Sequence, residues 1–324
     1  MVLDYKIYVF GVHSMGLFNF FKNKAKNSQK SPKLNYSING NSLSIGDFTG
    51  EYHQSPNGKF ILAWKDQNEN GKYILLERGK VKLQAKMRRP NNGMVSNSGV
   101  FILSDLTSKG TYGLFHIINA EGETLIKQRC KANLGPTGIS DDGNFAVCQA
   151  LESTNKSDSC KLYFFDIKNK KLLWNKLPET IGSELSWPES YRFDTKKKVL
   201  YLRYDKNRIY RYTFEGTFID SKSYRYDCIN TGNDIEFLEA VKELKEELST
   251  NTDPREYDAL IAPLTKGLKR FSDKDAKSKI HRVLGEILHL QGNDAEAIKH
   301  FETALKINPR IGVKRTLEKL KKID

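Results

Sequence analysis

Three short stretches of this chain are near copies of one another: Ser55-Pro-Asn-Gly-Lys-Phe-Ile-Leu, Ser96-Asn-Ser-Gly-Val-Phe-Ile-Leu and Ser140-Asp-Asp-Gly-Asn-Phe-Ala-Val. Their glycines, Gly58, Gly99 and Gly143, lie 41 and 44 positions apart. Self-similarity at a period of this size means that one supersecondary unit is repeated and stacked. Each copy joins a small polar turn, closed by a Gly that tolerates positive φ, to a strongly apolar strand.

The rest of each unit follows the same plan. A second strand comes after a polar loop, in Tyr73-Ile-Leu-Leu, Leu114-Phe-His-Ile-Ile and Leu162-Tyr-Phe-Phe-Asp-Ile. A third follows another turn, in Val81-Lys-Leu-Gln, Thr124-Leu-Ile-Lys and Leu172-Leu-Trp-Asn. A weaker fourth unit reads Phe193-Asp-Thr-Lys-Lys-Lys-Val-Leu-Tyr-Leu, Ile209-Tyr-Arg-Tyr-Thr-Phe and Thr217-Phe-Ile-Asp.

From Leu34 to Cys228 this pattern resembles the β-propeller families with Ser-Asp-Gly turns, such as WD-repeat-like blades, although it lacks the Gly-His and Trp-Asp dipeptides of the true WD repeat. The resemblance implies a propeller-like domain of about four blades, at the low end for a closed ring. Residues 35–47 would add a strand, or the array is partial and needs a partner. Regularly spaced short strands also fit an ordinary antiparallel sandwich.

Past Thr231 the period changes from strand to helix. Residues 234–248 place Ile235, Leu238, Val241, Leu244 and Leu248 on one helical face. Pro254 suits the first turn of a second helix running to Phe271, with a kink at Pro263, and Ser272 with Asp275 signals the start of a third. In the third and fourth helices, Leu284, Gly285, Leu288, Gly292, Ala297, Phe301, Ala304 and Pro309 stand at the spacings of the tetratricopeptide consensus. His281 replaces the usual Trp and Leu288 the usual Tyr, so residues 279–311 resemble a divergent tetratricopeptide repeat. Small Gly285 and Ala297 let two antiparallel helices cross closely, Phe301 fills the space between them, and Asn293 with Glu296 caps the second. One hairpin buries only one face, so helices 234–248 and 254–270 are expected as degenerate neighbours and residues 312–322 as a solvating cap.

The expected architecture is therefore multidomain β plus α: a tail over 1–33, a propeller-like domain over 34–232 and a tetratricopeptide-like helical domain over 233–324. The tail carries an apolar cluster, Leu17, Phe18, Phe20 and Phe21, then a Lys-, Asn- and Ser-rich run with too little apolar content to pack. Met1 and Met15 are alternative starts. No stretch is apolar enough for a membrane span and the first residues lack a basic n-region, so a cytoplasmic location is expected.

The net charge of +14 divides as about +5 in residues 1–33, about +8 in 34–233 and about +1 beyond. Any acidic partner that reads charge alone would thus meet the β-domain, although a general bias toward Lys and Asn produces the same excess. Its most basic aromatic stretch, Tyr201 to Tyr212 with an echo in Tyr224-Arg225-Tyr226, offers Arg203, Lys206, Arg208, Arg211 and Arg225 to nucleic acid. Strand alternation gives the same string a plainer meaning, Tyr inward and Arg in solvent.

No phosphate loop, HExxH or GxSxG occurs, and Ser140-Asp141-Asp142-Gly143 lacks the Glu that completes a calcium loop. The four cysteines, Cys130, Cys148, Cys160 and Cys228, have no zinc-ligand spacing, and no metal or cofactor is expected. The tetratricopeptide resemblance implies a peptide-holding groove faced by Lys279, Arg282, Glu286 and His289, with Lys279 and Arg282 suited to a carboxylate. The expected role is a non-enzymatic adaptor or scaffold subunit with protein partners, and the alternative is a nucleic-acid-associated subunit.

Overall fold

The structure is a computed structural model that describes residues 36–107, 112–180, 187–205, 208–248 and 252–322. The expected basic tail lies outside the described residues, as does the choice between Met1 and Met15.

Seventeen strands among the described residues form four antiparallel sheets whose strands follow one another in sequence order. The first has six strands: β1 (Tyr36–Asn39), β2 (Ser42–Ile45), β3 (Phe48–Gln54), β4 (Phe60–Lys65), β5 (Lys72–Glu77) and β6 (Lys80–Lys86). The second holds β7 (Pro90–Val95), β8 (Phe101–Leu106), β9 (Gly113–Ile118) and β10 (Thr124–Cys130). The third holds β11 (Leu134–Ile139), β12 (Phe145–Ala150), β13 (Leu162–Asp166) and β14 (Lys171–Lys176). The fourth holds β15 (Ser190–Asp194), β16 (Val199–Arg203) and β17 (Ile209–Thr213).

These sheets are propeller-like blades. Strands β3, β7, β11 and β15 touch in succession along one line, as innermost strands do, and no comparably extensive contact returns from β15 to β3. The array is open, not a closed ring. Strands β4, β8 and β12, which follow the repeated turns, are almost wholly buried, whereas the outer β6 and β14 are mostly exposed and carry Lys at both ends. Lysines on such edges oppose pairing with another chain.

Alternation within the central strands sends side chains to two neighbouring cores. Phe60, Leu62 and Trp64 of β4 pack with Phe101 and Leu103 of β8, while Ile61 and Ala63 pack on the opposite side with Leu43, Ile45 and Phe48. The hairpin of β1 and β2 thus covers the free face of the first blade. The last blade buries Leu200, Leu202, Tyr210 and Tyr212 against the third, and its other face presents Arg192, Arg203 and Arg211. A hairpin over one end and a charged face at the other close a stack that does not close on itself.

The innermost strands left little trace in the sequence because they carry small and turn-forming residues, as in Pro90-Asn-Asn-Gly-Met-Val. Gly93 is required there: a Cβ would lie 2.6 Å from the Trp64 ring. The repeated turns are built alike, with Ser55 and Ser140 hydroxyls accepting from the backbone N–H groups of Phe60 and Phe145 at 2.9 Å. They are also stitched across blades, Asn57 N donating to Asn97 Oδ1 at 2.8 Å and Asn97 N to the Asp141 carbonyl at 2.8 Å.

Two expectations about the fourth unit are corrected. Thr217-Phe-Ile-Asp forms no strand beyond a single bridge between Tyr212 and Phe218, and Tyr224-Arg225-Tyr226 lies on a helix, α1 (Ser221–Thr231). The Phe218 and Tyr224 rings pack on Tyr210, at centroid separations of 6.1 and 5.3 Å, so this aromatic cluster ends the sheet.

Five further helices follow: α2 (Asp234–Glu246), α3 (Pro254–Arg270), α4 (Lys274–Leu290), α5 (Asp294–Ile307) and α6 (Lys314–Leu320). A capping box of Asn233 and Glu236 starts α2, and Asp273, not Ser272, caps α4 by accepting from Ala276 N at 2.8 Å. Helices α4 and α5 form the closest pair. At Gly285 a Cβ would meet the fully buried Phe301 ring at 2.6 Å.

Gly285→Ala sets two effects against each other. Helix propensity favours Ala by about 1 kcal/mol, and overpacking a rigid contact costs about 1–3 kcal/mol. The expected result is net destabilisation, read as a lower urea midpoint with unchanged slope.

His116 on β9 has its Nε2 buried without a hydrogen-bond partner. Burial, reinforced by Lys127 and opposed by Asp105, pushes its pKa down from 6.5 to about 4. The unfolded chain takes up this proton first, so the stabilisation is complete above about pH 6.5 and is lost as pH falls toward 4. His116→Leu should remove up to about 3 kcal/mol of that acid loss, measured as a flatter dependence of unfolding free energy on pH.

Candidate functional site

Helix α2 buries most of the face that its sequence period suggested. Val241 and Leu244 enter the core together with Phe237 and Ala240, Leu238 and Leu248 pack partly against it, and Ile235 alone of the five is left 64% exposed. This leaves Leu238, Lys242 and Lys245, spaced four and three residues apart, along an open side of α2. Facing them across a groove of about 350 Å³ are Lys279, Arg282, Val283 and Glu286 of α4. A neighbouring depression of about 250 Å³ extends the groove past Ile235, Asp273 and Asp275.

The groove therefore has an apolar strip of Leu238 and Val283 between two cationic rims. Glu286 is its carboxylate, bonded to Lys245 and, at 2.7 Å, to Arg282 Nε. Burial works against its ionisation, but the hydrogen bonds from Lys245 and Arg282 prevail and hold its pKa below the usual carboxylate range. Arg282 also donates to the Ile311 carbonyl at 3.2 Å, which ties the rim to the segment before α6. Lys279 pairs with Asp275 at 2.7 Å, one helical turn earlier.

Of the four residues expected to face a groove, Lys279, Arg282 and Glu286 are brought together. His289 is not among the groove residues; its Nδ1 lies 2.5 Å from Asp294 at the α4–α5 turn. Lys242 and Lys245 were missed in the sequence because α2 was read only for its apolar face; Lys242, one turn after Leu238, was the signal available.

The basic aromatic stretch is arranged differently. Arg203 lies 3.5 Å from Glu189, Arg208 pairs with Asp205 at 2.5 Å, and Arg211 forks onto Asp220 with contacts of 2.5 to 3.0 Å. Arg225, on α1, pairs with Glu243 at 2.7 Å and Glu247 at 2.5 Å. Lys206 lies outside the described residues. Each described arginine of this set is thus held by a carboxylate of the same chain, and the Tyr210 and Tyr212 rings are buried.

A cavity of about 540 Å³ lies beside α1 and α2, with Phe218, Tyr224, Glu179, Glu236 and Glu239 in its wall. Among the described residues no group of three or more His, Cys, Asp or Glu is spaced to hold a metal ion, and no helix is long and apolar enough to cross a membrane.

The described chain is thus an open stack of propeller-like blades followed by a helical region that contains a tetratricopeptide-type hairpin. Residues 278–311 match the tetratricopeptide repeat family, which covers α4 and α5 nearly end to end. No curated protein matches the chain. Among solved structures it is similar to the Dos1 propeller, at 14% identity and a TM-score of 0.37, covering 54% of this chain and 45% of that one. It is also similar to the β-propeller domain of the Trilobed protease from Pyrococcus furiosus, at 10% identity and a TM-score of 0.35 over 52% and 55% of the two chains. A third is TolB from Acinetobacter baumannii, at 16% identity and a TM-score of 0.34 over 54% and 44%. The chain spans about half the length of these structures.

Proposed function

We propose that the protein is a non-enzymatic, cytoplasmic adaptor whose α2–α4 groove holds an acidic peptide segment of a partner protein. The observation that carries this reading is the convergence of Lys242, Lys245, Lys279 and Arg282 around the apolar strip of Leu238 and Val283. Glu286 takes up Lys245 and Arg282, Asp275 pairs with Lys279, and Asp234, Glu239 and Asp273 line the adjoining depression, so the charge offered to a ligand centres on Lys242. Lys242 is exposed and makes no ion pair among the described residues, so its charge is available to a ligand. Cationic rims steer and orient an acidic segment, and the apolar strip takes a side chain from it.

In this reading the blades and the helices are two parts that meet near residue 232. Helix α1 joins them, because Tyr224 packs both with Tyr210 and Phe218 of the sheet side and with the core of α2 to α4. The helical part grips the partner, and the blade array presents a second, rigid surface to the assembly.

The test is fluorescence polarisation of the full chain with two matched sets of labelled peptides, one acidic and one basic, across a salt series. Acidic peptides should bind more tightly, with affinity falling as salt rises. The double variant Lys242→Glu, Lys279→Glu should weaken them by about tenfold or more, a loss of about 1.4 kcal/mol. Equal binding of both sets, or an unaltered affinity in the variant, would reject the groove as the docking site.

A further inference from the structure

Helices α4 and α5 bring together two histidines that the sequence separates by a turn and most of a helix. His281 Nδ1 lies 2.9 Å from His300 Nδ1, with the ring centroids 5.1 Å apart and the planes inclined by 38°. His281 occupies the position at which the tetratricopeptide consensus carries Trp. Both rings are half-buried beside the close crossing of Gly285 and Phe301, so the two backbones that carry them are fixed relative to each other.

We propose that His281 and His300 form a two-imidazole site for a divalent transition-metal ion of tetragonal preference, Cu²⁺ foremost.

The argument is one of spacing. With metal–nitrogen bonds of about 2.0–2.1 Å, two donor atoms separated as these are subtend an angle of about 90° at the ion. That is the angle between adjacent ligands of a square-planar or tetragonal centre, the geometry of Cu²⁺ and Ni²⁺. Rotation about the broad χ2 torsions turns both lone pairs from the line joining the nitrogens toward a common point. Among divalent first-row ions an imidazole site binds Cu²⁺ most tightly.

Charge and protons balance without any further group. In the neutral metal-free pair one Nδ1–H donates and the other Nδ1 accepts. On binding, the donor ring changes tautomer, its proton passing through solvent to Nε2, and both Nδ1 atoms coordinate. Metal binding needs the coordinating nitrogens deprotonated, so affinity should rise with pH. Water fills the remaining positions, since the described residues supply no third ligand at metal spacing. An ion held by one residue from each helix clamps the repeat and stabilises the folded state by mass action.

The test is titration of the full chain with Cu²⁺ alone at pH 7.5 in a non-coordinating buffer, followed by calorimetry and by electron paramagnetic resonance. One ion per chain should bind with coupling to two nitrogens. His281→Gln and His300→Gln should each weaken it by about tenfold or more, while His289→Gln and His13→Gln leave it unchanged. His281→Trp restores the consensus residue of the repeat, so it should keep the fold and still lose the ion. Undiminished binding in His281→Trp or His300→Gln, or a nitrogen signal that disappears with His289→Gln, would overturn the proposal.

Discussion

The rest of the structure depends on how the central strands of the blades share their side chains between two cores. A four-stranded blade is apolar on both faces in its middle, and it cannot stand alone in water. Phe60, Leu62 and Trp64 reach one way, toward Phe101 and Leu103, while Ile61 and Ala63 reach the other. Stacking satisfies every internal face and leaves one unsatisfied face at each end. A ring would remove both ends by closure. Here the β1–β2 hairpin buries one, and the other is made polar by Arg192, Arg203 and Arg211. Two of these, Arg203 and Arg211, are among the arginines that make the chain look ready for nucleic acid, and here they are part of what allows the stack to stop.

That ending also positions the helical region. Once the last sheet has three strands, its inward aromatic face is finished by Phe218 and Tyr224 in place of a fourth strand. The Tyr210 hydroxyl donates to Asp227 at 2.7 Å, and Arg211 holds Asp220 just before α1. From there α1 packs on α2, and α2 and α3 pack on α4, and the groove lies where the edge of that core, at Leu238 and Val283, meets solvent. The Gly285–Phe301 contact sets how near α5 comes to α4, and with it the distance between His281 and His300.

Much of this was written locally in the sequence. The period of the Ser-x-x-Gly turns, the apolar strand after each, and the small-large pattern of residues 284–304 are short-range signals, and each became the element it implied. The first strands of the second and third blades were not legible, since Pro90-Asn-Asn-Gly and Leu134-Gly-Pro-Thr read as loops until the neighbouring Trp64 and Leu151 explain Gly93 and Gly135. The face of α2 was legible at Val241 and Leu244 but not at Ile235: Ile235 is as apolar as Phe237, and only contact with the other helices decides which of the two is buried.

By itself, then, although the helices begin earlier than the sequence indicated, at α1, the sequence determined the two kinds of repeat, their order along the chain, and the placing of Lys279 and Arg282 on one helix. Those properties follow from residues within a few positions of one another. Tertiary structure alone decided that the blades form an open stack, that Arg203, Arg208, Arg211 and Arg225 are spent on carboxylates of their own chain, that Lys242 and Lys245 join Lys279 and Arg282, and that two distant histidines meet. The physical reason is the same in each case. Which charges are neutralised and which side chains converge depends on distances across packed elements, and those distances are set by the volumes of the side chains between them.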